Sequence, residues 1–482
     1  MTRNFKLKVA AVLVALVVGT LAGCGGSALD PEVAARARAV DGYGAPVGSD
    51  GLNPDDGSTT GPDTPGGTST DPGGTSTDPA NPGGSGNNPQ NPGGSGNEPP
   101  PAAAPQVSCA GFKNGPGITD SVVKIGNASD ISGPVPGLFT AARQAVQAYV
   151  KYFNDSGARI CGRKLELDLY DSRTDNGGDQ AAYVKGCGAD FAMVSSMSAF
   201  DSGGAKTASD CGIPDVRAIA TTTERAACKT CYAAQPAGPT AFQKAVPNFL
   251  KRHGVSKAGM LYISIGASAT NGEAQAKHGQ GMGIDYVVKQ PVDVAAFNYG
   301  PYVQSLKSKG AQSVQFIASS AQFARLAQAM AQANYKPKVY LLDPSAYNAE
   351  YTTAAGAAAK GTTVFLNFTP FEEAGRNPEM ATYLRYLNQV SPGAKPTFFG
   401  LFAWSAARLF AQEATKLGGK LSRTTLIDAL KKVDNWTSNG VHAPQHVGRK
   451  QIADCWRFIQ WSGSAWVPVD GAKYHCEGLH TF

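Results

Sequence analysis

The stretch from Val122 to Asp171 decides the fold, and it reads VVKIGNASDISGPVPGLFTAARQAVQAYVKYFNDSGARICGRKLELDLYD. Its β-branched start and its second apolar run, residues 162–171, are typical of buried parallel strands. The apolar residues between them recur every three or four positions, which predicts one face of a helix: Ala142, Ala145, Val146, Tyr149 and Phe153. A helix that links two parallel strands is a crossover connection, so the stretch predicts an α/β fold.

The loop after the first predicted strand, residues 127–137, is the first place to look for a binding site. In open parallel sheets, ligands bind beyond the carboxyl ends of the strands. The loop contains a turn-like Ile-Ser-Gly-Pro segment at residues 131–134. We therefore expect Ser132 to contact a ligand.

Strand-like and helical segments continue to alternate along the rest of the chain. The clearest strand-like runs are residues 191–195, 215–220, 259–264, 285–289, 313–318, 339–342 and 363–367. Repeated alternation of this kind predicts a doubly wound α/β architecture. The region from about residue 108 to residue 482 is too long for one typical core, so we expect two lobes.

The N-terminus has the pattern of an export signal. Cationic residues at positions 3, 6 and 8 precede an apolar run, residues 9–21, that is too short to span a membrane comfortably. The sequence LAGC at 21–24 matches the lipobox of bacterial lipoproteins. That resemblance implies a signal peptide at 1–23, cleavage before Cys24 and a lipid on its sulfur, which would anchor the chain on the extracytoplasmic face of the cell membrane. The alternative is an ordinary signal peptide with an incidental cysteine.

Residues 24–107 have a different composition from the rest of the chain. Pro, Gly, Ser, Thr, Asn and Asp dominate, and both PGGTSTD and NPGGSGN occur twice. Few large apolar side chains are present to offset the entropy of ordering, which predicts a disordered linker. About eighty such residues would span on the order of 50 Å. We interpret the segment as a tether between anchor and folded region, although a tolerated low-complexity insertion has the same composition.

Eight cysteines besides Cys24 predict a disulfide framework, because the count is even and the chain is exported. They allow 105 pairings. The simplest arrangement joins sequence neighbours: Cys109 with Cys161, Cys187 with Cys211, Cys228 with Cys231, and Cys455 with Cys476. The close pair in Cys-Lys-Thr-Cys also suits a redox exchanger. A structural staple is the interpretation we favour, because no strand-to-helix context surrounds it.

Charge and motif content argue against several other classes of protein. The net charge is +6 with 17% charged residues, and no long Lys/Arg run follows the signal region, so we expect no nucleic-acid partner. Neither a G-x-S-x-G nor a GxxxxGK motif occurs. His442 and His446 are four residues apart, but Pro444 between them argues against a helical metal pair. We expect no metal, no cofactor and no enzyme activity.

Several segments together resemble the type I solute-binding proteins, the leucine/isoleucine/valine-binding group. VVKIGNASDISGP resembles that family's first strand and loop, and GRKLELDLYDSRTD its second strand and polar exit. Near the C-terminus, residues 426–433, 458–461 and 465–468 are similar to its last helix and closing strands. The resemblance implies two Rossmann-like lobes with parallel sheets, joined by three crossovers around a ligand cleft. It places the first lobe at 108–238 plus 363–420 and the second at 239–362 plus 421–482.

The resemblance also implies which residues of the first lobe bind the ligand. Ser196 and Ser198 follow a predicted strand where the family carries a ligand-binding serine. Ala220, Thr221 and Thr222 follow the next strand, in the place of the family's Ala-x-Thr. Hydroxyls and free amides at a helix start bind a carboxylate without a buried counter-charge. The alternative is that these residues only cap helices.

The second lobe departs from the family pattern. The position of the family's acidic residue, which holds a ligand ammonium, is Ser345 here, and Asp343 either substitutes for it or caps the turn before Pro344. The family's closing aromatic residue falls near Ser319, which is small. An α-amino-acid ligand is therefore in doubt, and we keep Ser319, Asp343 and Ser345 as ligand-binding candidates.

The leading hypothesis is a solute-binding lipoprotein of an ABC importer. It would bind a small polar or amphipathic solute, such as a branched-chain amino acid, an amide or a related compound, and deliver it to permease subunits. The alternative within the same fold is a lipoprotein that senses a ligand or binds a cell-envelope partner without transport. A third hypothesis, an exported redox or hydrolytic enzyme, requires Cys228 and Cys231 to cycle.

Overall fold

The computed structural model describes residues 107–236 and 241–481. The predicted signal peptide, Cys24 and all but the last residue of the predicted linker lie outside these described residues. Val107–Phe482 forms one compact unit, in which two sheets are each surrounded by helices. In the part of the chain that the structure describes, no helix is both long enough and apolar enough to cross a membrane.

The first sheet has five parallel strands in the order β2-β1-β3-β4-β5. The strands are β1 (Val122–Ser129), β2 (Lys164–Asp171), β3 (Ala192–Val194), β4 (Asp215–Ile219) and β5 (Cys231–Gln235). The helices that connect them are α1 (Thr140–Asp155), α2 (Asn176–Ala189), α3 (Ala205–Cys211) and α4 (Thr223–Ala227). We call the residues around this sheet the first lobe.

Helix α1 is the crossover that the opening stretch predicts. The five residues of its apolar stripe are all buried. Its neighbours β1 and β2 pair in parallel from Val122 opposite Lys164 to Ser129 opposite Asp171. The sequence prediction of strand, helix and parallel strand is confirmed here.

The second sheet repeats the same strand order and then extends it. Its parallel part runs β8-β7-β9-β10-β11, and antiparallel β12 and β13 follow β11. The strands are β7 (Lys257–Ile263), β8 (Asp285–Val292), β9 (Ser313–Ile317), β10 (Val339–Leu342), β11 (Thr362–Leu366), β12 (Cys455–Trp461) and β13 (Trp466–Val469). The residues around this sheet form the second lobe.

The described residues of the second lobe form five α-helices and a small ribbon besides the sheet. The helices are α5 (Ala245–Arg252), α6 (Ser268–Gly281), α7 (Gly300–Ser308), α8 (Ser320–Gln332) and α9 (Ala349–Ala355). Strand β6 (Ala241–Gln243) pairs antiparallel with β15 (Leu479–Thr481), and β14 (His475–Cys476) pairs with β12. The chain end is thus fastened to the second lobe.

Three further helices, α10 (Pro378–Val390), α11 (Phe398–Leu417) and α12 (Arg423–Leu430), belong to the first lobe. Helix α11 packs against α1 and β4, and its side chains are buried on most sides, which agrees with its mainly apolar sequence. The side chain of Trp404 in α11 is fully buried. This long helix therefore supplies much of the first lobe's core.

The chain crosses between the lobes later than two of the predicted boundaries. The prediction put residues from 363 into the first lobe, but β11 pairs with β10 from Tyr340 opposite Thr362 onward and so belongs to the second sheet. The prediction put residues from 421 into the second lobe, but Arg423 donates to the carbonyl oxygen of Phe191 at 3.1 Å in the first lobe. The chain rejoins the second sheet only at Cys455. Backbone pairing in one case and the hydrogen bonds of a partly buried side chain in the other decide these assignments.

Four disulfides join Cys109 with Cys161, Cys187 with Cys211, Cys228 with Cys231, and Cys455 with Cys476. These are the pairs of sequence neighbours. Each of the four links residues of one lobe, so none of these bonds restrains the two lobes relative to each other.

Candidate functional site

A cavity of about 290 Å³ lies between the two lobes. The first lobe contributes Asn176, Ala199, Phe200, Ser202, Thr221, Thr222, Thr223 and Glu224 to its wall. The second lobe contributes Gly266, Ala267 and Thr270. These residues follow the carboxyl ends of β2, β3, β4 and β7 or begin the helices after them, which is where open parallel sheets bind ligands.

The lobes contact each other directly beside this cavity. The backbone N–H of Ala267 donates to the carbonyl oxygen of Ala199 at 3.1 Å. The side-chain amide of Asn271 donates to the carbonyl oxygen of Thr221 at 3.3 Å. The cavity is therefore bounded by a contact that exists only while the two lobes are close together.

Asp201 positions the wall of the cavity formed by Thr221 and Thr222. Its carboxylate accepts the Thr221 backbone N–H at 2.8 Å and the Thr222 hydroxyl at 2.6 Å. The Thr222 oxygen also accepts the backbone N–H of Arg225 at 3.2 Å and so caps α4. The Thr221 hydroxyl donates to the carbonyl oxygen of Ser198 at 2.9 Å. Both predicted threonines line the cavity, but their hydroxyl groups donate hydrogen bonds to other groups of the protein.

Behind Asp201 lies a network of fully buried charges that sequence reasoning missed. Arg217 lies 3.2 Å from Asp201 and 3.1 Å from Asp215. Arg225 lies 3.0 Å from Asp215 and 2.9 Å from Asp179. Burial raises the pKa of Asp179 to about 6, although the neighbouring arginines oppose that rise. The sequence does indicate this network. Asp215 and Arg217 are two charged residues within the apolar parallel strand DVRAI, where each requires a buried partner of opposite charge.

The other predicted residues of the first lobe lie outside the wall of this cavity. Ser196 and Ser198 are buried, and their hydroxyl oxygens accept the backbone N–H groups of Ala128 and Phe200, both at 3.1 Å. Ser132 is exposed and donates its hydroxyl to Asp171. Ala220 lines a separate space of about 10 Å³. Solute contact by these four residues stays a prediction.

Of the three candidates of the second lobe, Asp343 and Ser319 act as local caps, and Ser345 is hydrogen-bonded to Asp343. Asp343 accepts the backbone N–H of Ser345 at 2.8 Å and also the Ser345 hydroxyl, which is the turn-capping role that the sequence allowed. Burial raises the pKa of Asp343, although the hydrogen bonds from Ser345 oppose that rise. Ser319 forms a capping box with Gln322 at the start of α8. None of the three lies in the described wall of the cavity.

The residue profile of one known family matches most of the folded region. It is described as periplasmic binding protein, and it matches residues 122–465. The chain belongs to the periplasmic binding protein family. The expected type I architecture, an α/β fold with parallel sheets in two lobes, is confirmed. No curated protein matches the chain.

Solved structures of this type share the fold at low sequence identity. A fatty acid ABC transporter substrate-binding protein from Thermomonospora curvata is 18% identical with a TM-score of 0.63, over 76% of this chain and 95% of that one. A Rhodopseudomonas palustris solute-binding protein in complex with 4-hydroxybenzoate is 16% identical with a TM-score of 0.60, over 75% and 97%. LivJ from Streptococcus pneumoniae in complex with isoleucine is 14% identical with a TM-score of 0.59, over 74% and 99%.

In this periplasmic binding protein, several residues of the cavity wall were not predicted from the sequence. They are Asn176, Ser202, Thr223, Glu224 and Thr270. Thr223 and Glu224 directly follow the predicted Thr222, so extending that motif by one helical turn would have found them. The other three lie at helix starts or in loops that only the folded chain brings together.

The described side chains offer no site for a metal ion. Within residues 107–236 and 241–481, no group of three or more His, Cys, Asp or Glu side chains is placed to hold one. Among the described residues that line the cavity, none is Lys, Arg or His, and Glu224 is the one carboxylate. The cavity therefore offers hydroxyl, amide and carboxylate groups to a solute.

Proposed function

We propose that this protein is the solute-binding lipoprotein of an ABC importer, acting on the extracytoplasmic face of the cell membrane. The observation that carries the proposal is the cavity whose wall comes from both lobes, next to the hydrogen bond between Ala267 and Ala199. A solute that contacts both lobes at once stabilises the closed form relative to the open one. Permease subunits that recognise the closed form would then receive the solute.

The wall of the cavity supports a small polar or amphipathic solute. Most of its side chains carry hydroxyl, amide or carboxylate groups, and Phe200 is the one aromatic ring among the described lining residues. Branched-chain amino acids, amides and related compounds remain the proposed class. Solved proteins of the same fold are described as binding isoleucine or 4-hydroxybenzoate.

A solute screen on the full chain in detergent tests the binding proposal. Unfolding is followed by intrinsic tryptophan fluorescence in the presence of amino acids, amides, aromatic acids, peptides and sugars. A solute at 100 times its Kd stabilises the folded state by about 2.7 kcal/mol, which raises Tm by a few degrees. A panel without any shift would contradict the binding of a small solute.

Anchoring by a lipid on Cys24 is a separate part of the proposal, supported by the LAGC sequence at 21–24. A single lipidated cysteine after signal cleavage would keep the chain with the membrane fraction. Changing Cys24→Ala should release the protein from that fraction. Equal membrane retention of both forms would argue against the lipid anchor.

A further inference from the structure

We propose that Glu224 is the specificity-determining residue of the cavity and that it selects solutes carrying a cationic amine. This inference rests on the proposed solute-binding function and names the chemical class of the solute. Two observations support it: the hydrogen bonds that the lining hydroxyl groups already donate, and the negative charge of the lining.

Most hydroxyl groups of the first-lobe wall already donate a hydrogen bond to another group of the protein. Those of Thr221 and Thr222 donate to Ser198 and Asp201, as described above. The Ser202 hydroxyl donates to the side-chain oxygen of Asn176 at 2.8 Å. The Thr223 hydroxyl donates to one carboxylate oxygen of Glu224 at 3.0 Å. What these groups still offer a solute is mainly oxygen lone pairs, which suits a solute that donates hydrogen bonds.

The arginine next to Glu224 in the sequence does not balance its charge. Arg225 is the next residue, but its guanidinium is fully buried and is engaged by Asp179 and Asp215 at 2.9 and 3.0 Å. The described lining residues include no Lys, Arg or His. An amine in the cavity therefore meets an uncompensated carboxylate, whereas a solute whose only charge is a carboxylate meets a like charge.

The described residues of the second lobe do not supply a competing charge to this cavity. Its contribution consists of Gly266, Ala267 and Thr270, of which Thr270 alone carries a polar side-chain group. The carboxylate candidate of the second lobe, Asp343, is hydrogen-bonded to Ser345 and is not among the described lining residues. Charge selection therefore falls to Glu224, on the first-lobe side.

Matched solutes on two carbon skeletons test the inference with the full chain in detergent. The three-carbon set is glycerol, serinol, serine and glycerate, and the four-carbon set is 1,4-butanediol, putrescine and succinate. Isoleucine is added as an aliphatic amino acid. Binding is measured by titration calorimetry for the natural chain, for Glu224→Gln and for Glu350→Gln. Glu350 is a matched control, because it is also exposed in the first turn of a short helix, α9, but does not line the cavity.

We expect the solutes that bind to carry a cationic amine. Glu224→Gln should weaken their binding roughly tenfold or more, the usual effect of losing a hydrogen bond to a charged group, and Glu350→Gln should leave it unchanged. Binding of glycerate or succinate, or amine binding that Glu224→Gln leaves intact, would overturn the inference while the proposed solute-binding function stands. Absence of binding by every solute in both this panel and the broader screen would overturn both.

Discussion

Asp215 is the residue that holds the buried charges of the first lobe together. One of its carboxylate oxygens accepts hydrogen bonds from Tyr183 at 2.8 Å, Arg225 at 3.0 Å and Arg217 at 3.1 Å. All four side chains are fully buried. The network reaches the cavity through Asp201, which binds both Arg217 and the Thr221–Thr222 wall. Removing the charge of Asp215 therefore weakens the hydrogen bonding of two buried guanidinium groups.

Substitution Asp215→Asn should destabilise the folded state by about 1–3 kcal/mol, because both buried arginines lose a shared carboxylate and each keeps a single one, Asp201 or Asp179. The measurement is urea unfolding of the natural and substituted chains at neutral pH. Asp210→Asn is the matched control. It removes an exposed carboxylate from the surface pair with Lys206, where a change within about 0.5 kcal/mol is expected. Equal stability of the two variants would show that the buried network contributes little.

At the scale of single elements, helix caps account for several polar residues that the sequence offered as ligand contacts. Thr222 caps α4, Asp343 caps a short 3₁₀ turn, and Ser319 forms the capping box of α8. Caps occur at the carboxyl ends of parallel strands because the following helix begins there, with its first N–H groups unpaired. The same sequence positions, just after a strand, therefore suit both a ligand contact and a helix cap.

Substitutions in two capping boxes of this chain can distinguish a capping role from a ligand-binding role. Ser319→Ala should cost about 1 kcal/mol of stability and leave solute affinity unchanged. Ser422→Ala breaks the corresponding box at the start of α12 and should cost a similar amount. Thermal unfolding and titration with a solute from the screen are measured for both variants. An affinity loss confined to Ser319→Ala would establish Ser319 as a ligand contact after all.

At the scale of the whole molecule, the two lobes approach each other closely beside the cavity. Gly266 has φ +53°, and a Cβ at this position would lie 2.8 Å from the carbonyl oxygen of Ala199 in the other lobe. That oxygen also accepts the Ala267 N–H. With all four disulfides confined to single lobes, closure depends on such contacts and on the solute.

Gly266→Ala should hinder closure and weaken solute binding by roughly tenfold, since a clash worth about 1.4 kcal/mol in the closed form has that effect. Gly283→Ala is the control. It has φ +84° and therefore similar backbone strain, but no atom lies within 4 Å of its added Cβ. Both variants should lose some stability, and only the first should lose affinity in calorimetric titration. Equal affinities would mean that this contact plays no part in closure.

The sequence by itself determined the alternation of strands and helices, the buried stripe of α1 and the α/β class, because these depend on periodicity within short segments. Chain length predicted two lobes, and family resemblance added their arrangement around a ligand cleft. Only the tertiary structure decided that β11 pairs in the second sheet and that Arg423 joins the first lobe. It also decided that the Thr222 hydroxyl donates a hydrogen bond to Asp201 and that Glu224 is the charged side chain among the described lining residues of the cavity. Such outcomes depend on which distant groups meet in three dimensions, and local sequence patterns carry no record of those partners.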